Sequence, residues 1–477
     1  MDNHTLYQYL VSHFEFQPTE GQAKVLQHLS YFLLSEKSKP AYLLQGYAGT
    51  GKTSLVSAII KSLPLIKMSF SLLAPTGRAA KVLSNYTGKT ASTIHRKIYR
   101  FAEFGEGNIK IIRTENKARN TLFIVDECSM IGDEYRYGGR SLLDDLIEYV
   151  FSGKNCKLLF IGDKAQLPPV GTDLSPANDI NILKNSFNLT VASFELKEVM
   201  RQSLESGVLF NATMIRNKLL NNDCSLPFFH TRNFNDFQRI DPMSFEELLQ
   251  QNFNSAEASE NIIIVRSNKR AVLYNQAIRQ GILQEEGEIS TGDRLMVVKN
   301  NYFWTDKSKE IEFIANGDMI EINKINHFEE MYGFHFADVE IRLTDYPDSS
   351  DLSVKILLDT LTSNSPVLTS DESWRLYSAI EEDYMDIPNK RDRYKAMMNN
   401  PWYNALLVKF GYALTCHKTQ GGQWKNVFID APFLPDGETH NITDLRWLYT
   451  AVTRAKNKVY LVNFKDDYFE DSEKQQY

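Results

Sequence analysis

Residues 46–53, Gly-Tyr-Ala-Gly-Thr-Gly-Lys-Thr, constrain the fold of this chain more than any other segment. They satisfy GxxxxGK[ST] in full. Glycines let the backbone turn tightly and present N–H groups to a phosphate, and a helix opening at the end of the loop adds a favourable dipole. Such a loop needs a buried strand before it and a helix after it. Both flanks agree, since Ala41–Leu44 is wholly apolar and Thr53–Ser62 is amphipathic. Lys52 is then placed to reach the β- and γ-phosphates and Thr53 to offer a hydroxyl to Mg²⁺. Gly46, Tyr47, Ala48, Gly49, Thr50, Gly51 and Ser54 complete the expected ATP-binding segment.

The rest of the first half keeps the same rhythm. Phe70–Leu73, Leu122–Val125 and Leu158–Ile161 are short apolar runs that end abruptly in Ala-Pro, Asp or Gly, as strands buried on both faces do. Amphipathic stretches such as Gln22–Leu34 lie between them. That alternation predicts an α/β fold with a parallel sheet covered by helices. The pattern resumes at Asn261–Val265, Asn426–Ile429 and Lys458–Val462, which predicts a second α/β layer. Between its pieces, Ile289 to about Pro401 is rich in Asp, Ser, Asn and aromatics, with short alternating runs at Met319–Ile325 and Phe336–Leu343. This stretch reads as an inserted β-rich domain. Phe101–Asn120 has the turn residues and apolar alternation of a hairpin inserted into the first unit.

At 477 residues the chain needs two to four domains, and a 43% hydrophobic fraction excludes global disorder. Nothing in it approaches the ~18 apolar residues of a membrane span. The start, Met1-Asp2-Asn3-His4, has no basic segment leading into an apolar one, so no secretory signal is expected. Cys128, Cys156, Cys224 and Cys416 are scattered without the spacing of a disulfide framework or zinc ribbon. A soluble, cytoplasmic protein is the expectation, with no membrane partner. The net charge of −7 hides a segregation. Thr76–Arg100 contains no Asp or Glu but six Lys or Arg, and Val265–Gln280 is likewise acid-free. Two basic faces on an acidic body suit either an electropositive groove or ordinary solvated surfaces.

Two strand ends carry further chemistry. Leu122–Val125 runs into Asp126-Glu127, where a Mg²⁺-ligating carboxylate and a water-activating one belong beside a phosphate loop. Leu158–Ile161 leads into Gly162-Asp163-Lys164-Ala165-Gln166, followed by Leu167-Pro168-Pro169. Gln166 sits where an amide can touch a γ-phosphate, and adjacent prolines stiffen the loop.

Taken in order, Phe16–Gln22, Gly46–Thr53, Ala74–Ala80, Thr93–Arg96, Asp126–Met130 and Gly162–Val170 resemble the superfamily 1 helicases. The likeness is nearest to the 5′→3′ branch that holds RecD and Dda. It continues through Val199–Gln202, Gly411–Gly421 and Leu448–Lys456. One departure stands out, since Thr419 replaces the usual Ser and a second glycine, Gly422, follows Gly421. The resemblance implies two RecA-like P-loop domains, the first over 1–190 and the second over 191–288 with 402–477. It implies a pin hairpin at about 97–121 and an SH3-like insert over 289–401. It also implies adenine recognition by Gln22, and phosphate contacts from Arg201 and Arg454 across the cleft. Single-stranded DNA would lie on Pro75, Thr76, Arg78, His95 and Arg96 of the first domain. Asn268, Lys269, His417, Lys418 and Thr419 would hold it on the second. Tyr302, Phe303 and Trp304 could stack on bases or form core.

The function so implied is ATP-dependent, 5′→3′ translocation on single-stranded DNA with unwinding of duplex junctions. A motor acting on RNA would keep every ATPase motif. A P-loop ATPase serving as a non-unwinding regulatory subunit would keep the nucleotide motifs but not need the basic track.

Overall fold

The computed structural model describes residues 1–104, 108–132, 140–198, 205–255, 257–305, 313–344, 346, 349–433 and 440–469, with the backbone alone for 101–104 and 108–111. The first half is a six-stranded parallel sheet. Its strands are β1 (Pro40–Gly46), β2 (Ser69–Ala74), β3 (Ala91–Thr93), then, beyond a hairpin of β4 (Tyr99–Phe104) and β5 (Asn108–Arg113), β6 (Thr121–Val125), β7 (Lys157–Gly162) and β8 (Thr190–Leu196). The order across the sheet is β3-β2-β6-β7-β1-β8, which sets the phosphate-loop strand β1 two places from β6 and its terminal acids.

The apolar runs form strands because both of their faces are covered. Leu44, Ile124 and Ile161 pack into one layer with Val25, Leu29 and Ile59 of the helices Glu20–Leu34 and Lys52–Ser62. Leu43, Val125 and Phe160 pack into the opposite layer with Leu146 and Val150 of Leu142–Ser152. Alternate residues of one strand therefore feed two separate cores, as a two-sided parallel sheet requires.

The second half is another parallel sheet, built from β9 (Phe237–Arg239) and β10 (Asn261–Val265) and, after the insert, β16 (Ala413–Thr415), β17 (Trp424–Asp430) and β18 (Ala455–Val462), in the order β16-β10-β17-β18-β9. The insert closes into a barrel of β11 (Arg294–Val297), β12 (Met319–Met331), β13 (Phe334–Leu343), β14 (Leu352–Leu357) and β15 (Leu406–Phe410).

Two expected limits move. β8 carries the first sheet past residue 190, and β15 carries the barrel past 401, because each is hydrogen-bonded to its sheet beyond those points. The insert is also less uniformly β than its composition suggested. Helices Asp359–Thr362, Ser370–Glu382 and Lys390–Met398 stand between β14 and β15, and Leu376, Ile380 and Met397 pack on Phe334 and Phe336 of the barrel. The aromatic trio of the insert packs internally. The Phe303 and Trp304 rings lie 4.8 Å apart, and Trp304 Nε1 donates to the Asn404 carbonyl at 2.8 Å.

A buried ion pair docks the barrel on the second sheet. Arg279 Nε donates to Asp293 Oδ1 at 3.0 Å, where the Tyr412 hydroxyl also donates at 2.8 Å. Ser290 N–H donates to the other oxygen at 2.7 Å. Arg279 and Asp293 are 6% and 2% exposed, so a break leaves a charge without water. Arg279→Met should therefore cost about 3–5 kcal/mol, read as a lower urea midpoint. A loss below about 1 kcal/mol would show that apolar packing alone holds the barrel.

Candidate nucleotide site and nucleic-acid track

The phosphate loop leaves β1 at Gly46 and enters the helix at Lys52. Gly49 and Gly51 have φ of 74° and 82°, in the left-handed region that a side chain would strain. Lys52 Nζ folds back to donate to the Gly46 and Tyr47 carbonyls at 2.7 and 2.9 Å. Gln22 is 1% exposed and braces the loop from behind. Its oxygen accepts from Thr19 N–H at 2.9 Å, and its nitrogen donates to the Thr50 carbonyl at 3.0 Å. Both ends of the amide are thus engaged within the chain, which is a different use from the expected reading of an adenine edge. A side chain at Gly51 would meet Gln22 Nε2 at 2.6 Å.

Asp126 and Glu127 follow β6, and Glu127 sits at φ 51° with its N–H donating to Asp126 Oδ1 at 2.9 Å. Desolvation, with the neighbouring Glu127 charge, pushes the Asp126 carboxyl up to about 7, while Lys52 pulls it the other way. Asp163 beyond β7 is 1% exposed, and desolvation raises it too. Gln166 is 7% exposed, and among the described residues its Oε1 has no hydrogen-bond partner. The loop, the two acids at the β6 end and the Asp163–Gln166 turn thus share one end of the first sheet.

The two cross-domain arginines fare differently. Arg201 falls outside the described residues. Arg454 is 3% exposed, and its guanidinium donates to the carbonyls of Thr450 at 3.1 Å and Gly422 at 3.3 Å and to the Thr453 hydroxyl at 3.3 Å. It is satisfied inside its own half.

The track residues lie on both sides of the seam between the halves. Thr76 caps the helix Gly77–Thr87, its hydroxyl accepting from Ala79 N–H at 3.2 Å. Pro75 is half-buried beside it, as are His95 and Arg96 on the short helix Ile94–Ile98. Across the seam Lys269 and His417 are exposed, and Asn268 and Lys418 are half-buried. Burial lowers the Lys418 ammonium to about 8.

Two track expectations need correction. Thr419 is fully buried, its hydroxyl donating to the Cys416 carbonyl at 2.7 Å, so it supports the turn rather than facing a strand. Arg78 lies flat on Trp424 with its guanidinium carbon 3.8 Å from the ring centroid, so it stacks across the seam. The same stack explains the departure at Gly421-Gly422. A side chain at 422 would lie 2.7 Å from Arg78 Nε, and one at 421 would lie 2.8 Å from Ala79 Cβ.

Two residues at the site had no signal in the sequence. Arg216, on the helix Gly207–Leu220, places its guanidinium carbon 4.8 Å from the Tyr47 ring centroid of the phosphate loop. Lys409 on β15 is 5% exposed, donates to the Ser363 carbonyl at 2.6 Å, and lines one cavity with Lys418 and Asn268. Burial and the Lys418 charge lower it to about 8. Neither falls within a motif of the sequence, and only the folded chain brings it to the site.

Two parallel sheets, one carrying a complete phosphate loop with its acids, define a P-loop nucleoside-triphosphatase with two RecA-like units. An AAA domain family model matches residues 17–216, and a UvrD-like helicase C-terminal domain model matches 410–462. An uncharacterized protein of Acanthamoeba polyphaga mimivirus is 26% identical over 89% of this chain and 96% of its own. The ATP-dependent DNA helicase dda of Enterobacteria phage T4 is 27% identical, over 93% of this chain and 99% of that protein. The ATP-dependent RecD2 DNA helicase of Deinococcus radiodurans is 35% identical over 33% of this chain, which spans only 19% of that longer protein. Over most of its length the chain is thus similar to superfamily 1 helicases of the RecD and Dda type.

The raised Asp126 carboxyl makes a prediction independent of any role. Its native value of about 7 lies above the ordinary 3.8, so ionisation is easier in the unfolded chain. The resulting penalty on the fold is absent below about pH 4 and complete above about pH 7. Asp126→Asn removes the charge and keeps the oxygen that accepts Glu127 N–H. It should stabilise the protein at pH 8 by on the order of 1–3 kcal/mol, with the gain vanishing towards pH 4. Thermal melts of both proteins across that range test this, and a gain independent of pH would contradict it.

Proposed function

We propose that the chain is an ATP-dependent DNA helicase that moves 5′→3′ on single-stranded DNA and unwinds duplex at junctions. The observation that carries this reading is the seam itself. A phosphate loop lies against the helix Ile442–Val452 of a second parallel sheet, where Ala48 N–H donates to the Tyr449 hydroxyl, and Arg78 of the first half stacks on Trp424 of the second. The full-length similarity to the phage T4 helicase supports DNA as the track. The first sheet and its helices, expected over 1–190, act as the nucleotide-holding domain, and the second, expected over 191–288 and 402–477, closes over it. The β4–β5 hairpin serves as the pin, and the closed barrel as an SH3-like module along the DNA.

In the proposed cycle Lys52, Gln166, Arg201 and Arg454 stabilise charge on the transferring phosphoryl group. Glu127 orients and deprotonates the water that attacks the γ-phosphorus as the β–γ bridging bond breaks. The hydroxyl of Thr53 and the carboxylate of Asp126 are hard oxygen donors of the kind that hold Mg²⁺, which would supply charge neutralisation between the β- and γ-phosphates. Closure of the second half on ATP and reopening after hydrolysis alternate the grip of the two track surfaces.

Forks with a single 5′ or 3′ tail test the whole reading. The 5′-tailed fork should be unwound and the 3′-tailed fork left intact, in an ATP-dependent reaction. Stimulation by RNA oligomers in place of DNA would move the assignment to an RNA motor. Turnover without strand separation would move it to a regulatory ATPase.

Two substitutions test the roles. Glu127→Gln should keep ATP and DNA binding while stopping turnover, since the amide preserves shape but cannot act as a base. Near-normal DNA-stimulated hydrolysis would remove Glu127 from that role. Arg454→Lys keeps a charge but loses the planar fork. It should bind single-stranded DNA normally yet lose ATPase on the order of 10³–10⁵-fold, as loss of an arginine finger does. DNA affinity and hydrolysis measured on one preparation decide it, and hydrolysis surviving within a few-fold would show that the guanidinium acts only inside its own half.

A further inference from the structure

The second half grips one loop of the first at both ends. The Tyr449 hydroxyl donates to Asp163 Oδ2 at 2.8 Å and accepts from the phosphate-loop Ala48 N–H at 2.9 Å. Four residues along the loop, Leu167 N–H donates to the Thr450 hydroxyl at 2.8 Å, and Gln420 Nε2 donates to the Leu167 carbonyl at 2.6 Å. Apart from the half-buried Ala48 N–H, these groups are shielded from water, since Tyr449, Thr450, Asp163, Leu167 and Gln420 are each 7% exposed or less. Broken bonds there are not replaced by bonds to solvent, so a shift of the helix Ile442–Val452 has to drag the loop with it.

What the loop carries is Gln166, whose oxygen is buried with no partner among the described residues. Gln420, on the other side, lies two residues beyond Lys418 of the proposed track segment His417–Lys418. Arg454 is tied to the same helix end through the Thr450 carbonyl. A continuous run of buried hydrogen bonds therefore leads from the track segment to the residue facing the γ-phosphate position, with a branch through Tyr449 into the phosphate loop.

We propose that Tyr449 is a positioning residue whose hydroxyl couples occupancy of the nucleic-acid track to the Gln166 loop and the phosphate loop. It touches no reacting atom. Its ring fills the second-half core while its oxygen joins the two nucleotide-facing loops of the first half. The inference rests on the reading of the chain as a nucleic-acid-stimulated ATPase.

Tyr449→Phe is the direct test, because it keeps the ring in its slot and removes both hydrogen bonds. We expect fluorescent-ADP affinity, single-stranded DNA affinity and unstimulated turnover within about 3-fold of the parent, with the DNA-stimulated kcat falling about 10-fold or more. Thr450→Val, which removes the Leu167 N–H anchor from the same helix, should show the same signature and serves if Tyr449→Phe does not fold. A stimulation factor equal to the parent's in the folded variants overturns the proposal. So does an equal fall in unstimulated turnover and ADP affinity, which would make Tyr449 part of the nucleotide site itself. If the parent protein shows no DNA-stimulated hydrolysis, the motor reading fails first and the coupling fails with it.

Discussion

The electrostatics of the nucleotide site turn on Lys52. Its charge opposes the desolvation that raises both Asp126 and Asp163, while its ammonium rests on the carbonyls of Gly46 and Tyr47. Three carboxylates near one another at the end of a parallel sheet are an unstable arrangement without a cation among them. The loop conformation that brings Lys52 there depends in turn on left-handed Gly49 and Gly51 and on Gln22 behind them. A phosphate entering the loop offers Lys52 a stronger partner than two carbonyls, so substrate binding redistributes charge at Asp126 and Asp163 together. That redistribution is felt across the seam, because Asp163 is hydrogen-bonded to a tyrosine of the other half.

Much of this was legible in the sequence wherever a signal was local. The apolar runs became strands because burial on both faces leaves few polar residues in them, and the phosphate loop is defined by eight consecutive positions. Strands failed to show where local pattern is weak. β8 reads Thr-Val-Ala-Ser-Phe-Glu-Leu and is mostly exposed along its length, as an edge strand can be. β9 and β16 have three residues each, too few for a period to be seen. The helices after β14 are rich in charged and polar residues, so composition alone hid them inside a β-rich insert.

Site residues failed for a different reason. Motif position put Gln22, Arg78 and Thr419 at the seam or the loop, but not which neighbours, near or far in sequence, their side chains would bond. Gln22 spends both ends of its amide on Thr19 and Thr50, Arg78 stacks on Trp424, and Thr419 turns inward to Cys416. Residue type fixes which bonds a side chain can make, and only the fold decides which of them it does make. The glycine pair shows the reverse case. Gly422 looked like a departure from pattern until Arg78 and Trp424 were seen to occupy the volume its side chain would need.

The helix Gly77–Thr87 is where the three units of the chain meet. Its first turn faces the barrel, with Asp318 Oδ1 2.2 Å from where a side chain on Gly77 would begin, and Lys81 donates to the Thr344 carbonyl at 2.5 Å. Its Arg78 lies on Trp424 of the second sheet, and its cap, Thr76, belongs to the proposed track. A stacked arginine contributes roughly 0.5–2 kcal/mol, and a single hydrogen bond to a charged donor about as much. Each is far below the stability of the cores on either side, where whole strands are buried. The halves can therefore slide past this helix without disturbing either sheet, while the shielded bonds at Leu167 and Asp163 keep the nucleotide-facing loops in step with the helix that moves. A seam that is weak at the track and firm at the nucleotide is what a machine needs if it is to release one strand contact at a time and still register every change of nucleotide state.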